Sequence, residues 1–441
     1  MKKTLIVMLI AALVLSLSAC GKKQEAVIVP GKEEQSGAAA MHTEETEESE
    51  IVTIAAFGPQ EDLSLLAAKY QEENPRYTIQ IKDYSDNYTV ELEKAQNRLN
   101  TEIAGGNIPD MICFSGISPG PYIRKGLLSD MKELLAVDSE ISIDDLAVKR
   151  AVLEKDGLFT ISGTFIVDTL IGLKSRFGDR YGWTLDEYLQ IEADLPLETR
   201  MIYNISEESF LQFVSQRYLT HAVDWNQGTC SFNNPDFLEI LEASSRIRET
   251  PKNEEPRFGR GSEFIAQGLQ ITASCSLNSV WKLTREELWA ENRLSTIGWP
   301  TVDGSCGSDI VMLTPVGISS QSPNKEICWE FIKFMLKNAS VDAPAGAPIT
   351  MENGIPMYMP LLKEKIERVQ NSDEYPVKLT DEDAERFLTL LDTIDTIAEY
   401  DTNIVTIITS ESGAFFNGDK TAEEVANLIE SKVNIYLSEI A

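Results

Sequence analysis

Apolar positions change their spacing several times along the chain, and each change predicts an element. Ile51–Phe57 is an almost unbroken apolar run closed by Gly58-Pro59, which predicts a buried strand. Leu63, Leu66, Ala67 and Tyr70 then recur at i, i+3, i+4 and i+7, so a helix with one apolar face follows, ended by Asn74-Pro75. Tyr77, Ile79 and Ile81 alternate as a strand. A second helix carries Leu92, Ala95, Leu99 and Ile103 and stops at Gly105-Gly106, and Pro109–Phe114 reads as a third strand. Strands separated by connections of helical length predict a parallel sheet flanked by helices.

The middle of the chain is more helical. Asp236–Arg248 and Val280–Ala290 are amphipathic, whereas Leu269–Cys275, Ile297–Trp299 and Asp309–Thr314 are strand-like. Pro323 opens a helix with Cys328, Phe331, Ile332 and Met335 on its apolar side; a proline in the first turn forfeits no hydrogen bond. Near the end, Thr421 and Glu424 have capping-box spacing, and Val425, Leu428, Ile429 and Val433 continue at helical intervals.

The first fifty residues follow a different pattern. Lys2 and Lys3 precede an apolar stretch from Leu5 to Leu17, too short to span a bilayer, which takes about 18–20 apolar residues. The stretch closes on Leu17-Ser18-Ala19-Cys20, which resembles the lipobox of a bacterial lipoprotein signal peptide. The resemblance implies cleavage after residue 19 and fatty acyl chains, palmitate among them, on Cys20. Residues 20–50 then read as a flexible linker ending in the acidic run Glu44–Glu50, too polar to bury a core. The expected location is the outer face of the cell membrane, held by lipid.

Charge and chemistry narrow the choice further. Seventy acidic against 39 basic residues give a formal charge of -31, which disfavours nucleic acid and anionic lipid as partners. The six cysteines, Cys20, Cys113, Cys230, Cys275, Cys306 and Cys328, contain no C-x-x-C pair, so neither zinc nor thioredoxin-type chemistry is expected. Cys113, Cys275 and Cys328 sit in apolar runs as buried thiols would, while a disulfide among Cys230, Cys275 and Cys306 stays open. The chain has no Gly-x-Ser-x-Gly elbow, P-loop or His-Glu-x-x-His. His221, the one histidine in the folded part, reads as surface or packing. Binding without catalysis, cofactor or metal is the expectation; a glycosidase built on paired carboxylates is the alternative enzyme reading.

Four stretches in order resemble the extracellular solute-binding lipoproteins of ABC importers, the maltose-binding-protein-like group. They are Phe57–Pro75; Leu99–Asp110, continuing into Gly126–Asp130; Ser322–Glu326 with Trp329–Ile332; and Phe415–Glu424, ending in Tyr436–Glu439. The resemblance implies two α/β lobes, each a mostly parallel sheet flanked by helices, with ligand in the cleft between them. The first lobe would hold residues 50–164 and 314–366 and the second 165–313 and 367–441. Hinge strands are expected near Gly163–Asp168 and Leu313–Val316. A saccharide or other small solute would close the lobes, and the closed monomer would dock on ABC permease subunits. A sensor lipoprotein coupled to a membrane receptor kinase would use the same clamp.

Sugar recognition takes aromatic plates for CH faces and polar groups for hydroxyls. Phe57 and Trp299 lie at strand ends, and Trp225 stands between Asp224 and Asn226, polar on both sides. The resemblance adds Phe114 at a stacking position, Asp168 beside the first crossover, and Ser276, Asn278 and Trp281 after a strand. Core packing is the competing reading for each aromatic, and a cap or surface position for Asp168, Ser276 and Asn278. Ile117-Ser118 replace a charged pair of the family, which argues against maltose itself.

Overall fold

A computed structural model describes residues 50–439, apart from 86–91, 156, 226, 250–257, 340–353, 372, 374–377 and 399–400. The signal segment, Cys20 and the linker up to residue 49 lie outside the described residues. The strands are β1 (Glu50–Ala56), β2 (Tyr77–Asp83), β3 (Met111–Cys113), β4 (Thr164–Leu173), β5 (Val223–Asp224), β6 (Thr229–Cys230), β7 (Thr272–Leu277), β8 (Leu294–Thr296), β9 (Asp309–Met312), β10 (Val316–Ile318) and β11 (Ile355–Pro356).

The first sheet has the order β10-β3-β1-β2. β1 is parallel to both β2 and β3, and the crossovers are the helices Glu61–Glu73 and Leu92–Ala104, as the apolar spacing predicts. Helices cover the sheet, so Val52, Ile54, Ala55 and Ala56 are all buried and β1 reads as a continuous apolar run, not an alternating one. All four residues of the predicted apolar stripe, Leu63, Leu66, Ala67 and Tyr70, are buried.

The second sheet departs from the expected parallel arrangement. It is built around the ten-residue β4, and β7, β8, β9 and β11 all pair with it antiparallel. These strands come from distant parts of the chain and return against β4, so no βαβ unit sets their direction. The predicted strand Ile297–Trp299 lies three residues too late: β8 ends at Thr296, and Gly298 at φ +72° turns the chain out of the ladder. The strand expected at Leu269–Cys275 is found at Thr272–Leu277. The helix expected from Pro323 starts at Lys325.

Two connections run side by side between the sheets. β9 belongs to the second sheet and β10 to the first, joined by Leu313–Pro315. Ile161 bridges Val316, and the chain then enters β4 at Thr164. One apolar cluster follows this path, from Val52 and Ile54 of β1 to Ala273 and Cys275 of β7. A second lies under the helices Glu207–Ala222, Pro235–Ser244, Thr402–Phe416 and Ala422–Glu439. The last helix has the predicted capping box: Glu424 N donates to Thr421 Oγ1 at 3.2 Å and Thr421 N to Glu424 Oε2 at 2.9 Å. All five described cysteines are free, with Cys113, Cys275 and Cys328 buried, so the disulfide left open by the spacing is not formed. No helix among the described residues is long and apolar enough to cross a membrane.

Asp110 explains the Pro109-Asp110 pair. Its carboxylate is 7% exposed and accepts from Thr53 N (2.8 Å), Thr53 Oγ1 (2.9 Å), Ser322 Oγ (2.6 Å) and Asn324 Nδ2 (3.2 Å). It therefore ties β1 to the turn before the helix Lys325–Asn338. Asp110→Ala strands these donors in a low-dielectric setting and is expected to cost about 2–3 kcal/mol, read as a lower urea midpoint. An unchanged midpoint would contradict this role.

Candidate ligand cleft

Ser206 caps the helix Glu207–Ala222 by accepting from Ser209 N at 3.1 Å. Val214, Arg217, Tyr218 and His221 fall at i, i+3, i+4 and i+7 of that helix and together line one wall of a cleft of about 850 Å³. Arg217 is the fixed point of the floor. Nε donates to Gly307 O at 2.9 Å, Nη1 to Phe213 O at 2.8 Å and Nη2 to Asp168 O at 3.3 Å. The guanidinium also lies 3.4 Å from Asp168 Oδ2 and 3.1 Å from Asp309 Oδ2, and over Trp299 at 5.5 Å. Trp299 in turn stacks on Phe213 with centroids 4.5 Å apart.

The loop from Gly298 to Gly307 supplies the carbonyl that holds Arg217. Trp299 N donates to Gly307 O at 2.8 Å, and a Cβ on Gly307 would fall 1.7 Å from Trp299 O. Only glycine permits that approach. Asp309 follows on β9, 2% exposed. Its Oδ2 has Arg217 as a charge partner but no hydrogen bond among the described residues, because the Nε proton goes to Gly307. Burial pushes the Asp309 carboxyl up to about 6; Arg217 opposes the shift, and Asp168 and Asp395 add to it.

Trp225 forms the other notable surface. It sits in the turn between β5 and β6, half-buried, lining the cleft. Its indole lies on Gly120, where a Cβ would come within 2.3 Å of the ring. Arg124, from the same short helix Gly120–Arg124, donates from Nη1 to Leu437 O at 2.8 Å. Ile123 and Phe159 complete this side.

The expected site residues divide into three groups. Trp225 lines the cleft directly. Asp168 reaches it through Arg217, and the exposed Ser276 donates to Asp168 Oδ1 at 3.4 Å from the paired position on β7. The other five are placed elsewhere. Phe57 is buried against Tyr84, and Phe114 is edge-on to Tyr122 in the same apolar cluster. Trp281 is buried beside Arg285, and Trp299 supports the floor from below with no exposed surface. Asn278 contributes a backbone carbonyl to Gly354 N at 3.1 Å. The four aromatic side chains face packed neighbours, not solvent, and Asn278 is half-buried. His221 is exposed, in line with the surface reading, and lines the cleft near the ring of Tyr218. Arg217, Tyr218 and Asp309 are missing from the sequence-based set. The helical spacing of 214, 217, 218 and 221 was the signal available for the first two.

No family model and no curated protein matches this sequence. Solved structures do. A family 1 extracellular solute-binding protein from Alicyclobacillus acidocaldarius is 17% identical, with 88% of this chain and 98% of that one covered and a TM-score of 0.54. The sugar-binding protein MalE from Xanthomonas citri is 14% identical over 88% and 98%, with a TM-score of 0.58. A periplasmic oligogalacturonide-binding protein from Yersinia enterocolitica is 14% identical over 88% and 99%, with a TM-score of 0.56. The chain has the two-lobed solute-binding-protein fold. Designed esterases also share this fold, so the fold alone does not separate binding from catalysis.

The cleft floor of this fold depends on Arg217. Arg217→Met leaves two carboxylates facing each other without a cation and is expected to cost about 3–5 kcal/mol in chemical denaturation. Asp309→Asn removes a buried charge that has no hydrogen bond and should cost much less. Equal costs for the two variants would contradict this ranking.

Proposed function

We propose that the cleft binds a small saccharide and that the protein delivers it, unaltered, to an ABC permease. One observation carries the reading: a half-buried Trp225 presented to an 850 Å³ cleft whose floor is fixed polar groups. Tyr218 and Phe159 add rings on neighbouring walls. A flat apolar plate beside immobilised hydrogen-bonding groups suits a sugar, which has both kinds of surface. The names of the MalE and oligogalacturonide-binding neighbours are consistent with this class.

In this reading residues 50–164 and 314–366 form one lobe and 165–313 and 367–441 the other. The connections at Gly163–Asp168 and Leu313–Val316 act as the hinge. The cleft takes Ile123 and Phe159 from the first lobe and Arg217 and Trp225 from the second, so a ligand touching both sides favours closure by its differential affinity. Trp225 on Gly120 and Arg124 on Leu437 are contacts that closure would make. A lipid on Cys20 would hold the binder at the outer membrane face, beside its permease, and raise its effective concentration there.

A thermal-shift panel of mono- and oligosaccharides tests the ligand class. At least one saccharide should raise the melting midpoint in a concentration-dependent way, and Trp225→Ala should weaken it at least tenfold. A panel in which only non-saccharide solutes act would overturn the class. The anchor is tested separately: wild-type protein should sediment with membranes, and Cys20→Ser should appear in the soluble fraction. Sedimentation unchanged by Cys20→Ser would remove the lipid from the account.

A further inference from the structure

The cleft is charged out of proportion to a neutral sugar. Glu154, Asp224, Asp236, Asp303, Asp309 and Asp395 line it, against Lys155 and Arg217. Six carboxylates line it against these two cations, and Arg217 is already shared between Asp168 and Asp309. Several of these acids have local partners. Asp224 accepts from Gln227 N at 2.9 Å, Asp303 from Ser305 N at 3.0 Å, and Asp395 faces Arg150 at 3.5 Å. Asp309 has Arg217 at 3.1 Å as its charge partner but differs in burial and hydrogen bonding. It is more than nine-tenths buried, it lines the cleft, and its Oδ2 is hydrogen-bonded to nothing among the described residues.

A buried carboxylate oxygen that has an ion-pair partner but no hydrogen bond still gains from a donor. A carboxylate or phosphate on the ligand would meet repulsion from the surrounding acids. A metal ion finds no group of three His, Cys, Asp or Glu side chains among the described residues able to hold it. An ammonium group supplies the missing N–H donors and adds positive charge among the surrounding acids, beyond what Arg217 already provides. The rings of Trp225 and Tyr218 on the same cleft add cation–π attraction.

We propose that the solute taken by this cleft carries a protonated amine, seated against Asp309, so that the preferred ligand is an amino sugar or its oligomer. The inference rests on the saccharide reading for the sugar part and on Asp309 for the amine. The groups facing Asp309 are Arg217 from the helix Glu207–Ala222, Asp168 from β4, Asp395 and Cys306. Burial pushes its carboxyl up to about 6, so amine binding should weaken as pH falls through that range while the ligand stays charged.

Calorimetry and thermal shift with glucosamine oligomers, their N-acetylated counterparts, galacturonate oligomers and spermidine decide the matter. At about pH 7 the glucosamine oligomers should bind at least tenfold more tightly than the acetylated ones. Asp309→Asn should remove most of that preference, with its own melting curve confirming a folded protein. Asp395→Asn, at the periphery of the same charge group, serves as a second variant and should reduce the preference less. Acetylated or galacturonate oligomers that bind as tightly as the amines overturn the inference while leaving the saccharide reading intact. Spermidine active with every sugar silent upholds the amine and overturns the saccharide. Absence of a shift with all amine-bearing probes, or a preference unaltered in both variants, also overturns it.

Discussion

A single buried guanidinium organises the part of this fold that faces the cleft. Arg217 holds a helix, two strands of the second sheet and the Gly298–Gly307 loop in one arrangement, through carbonyls of Phe213, Gly307 and Asp168 and the carboxylates of Asp168 and Asp309. A charge out of water is tolerated only with partners of opposite sign and with its protons satisfied. Here the partners are backbone carbonyls fixed by tertiary contacts, so the guanidinium can form its bonds only when those elements are in place. The cleft floor and the local fold are thus the same set of interactions.

The surroundings of that floor follow from close backbone approach and ring stacking. Gly307 lets the loop close on Trp299, whose ring is clamped between Phe213 and Arg217. Trp225 rests on Gly120 in a distant segment, which brings the turn after β5 against the short helix Gly120–Arg124. The floor is held by the contacts of Arg217, while Ile123 and Phe159 on the facing wall come from segments before β4.

Much of the fold was legible in the spacing of apolar residues. The first sheet, its two crossover helices and the final capped helix have local signals that agree with their tertiary environment: apolar runs where both faces are covered, and 3.6-residue stripes where one is. β4 was not legible as the centre of an antiparallel sheet, because its partners lie up to about 190 residues away and pairing direction leaves no mark on a single strand. The site was harder still. Phe57, Phe114 and Trp281 lie buried among packed neighbours, which their places in the sequence do not disclose. Trp225 was visible because polar neighbours on both sides keep a ring near water. Arg217 and Asp309 were hidden, since a sequence of 70 acidic residues does not disclose which carboxylate is buried beside which cation.

The most direct test of the account is hydrogen exchange of the purified protein with and without a saturating solute identified by binding. If the cleft is the binding site, the solute will slow exchange in the Gly120–Arg124 segment, the Trp225 turn and the Pro300–Asp309 stretch, and leave the outer strand β2 unaffected. Saturating solute that protects a surface elsewhere, with these three segments unchanged, would contradict it.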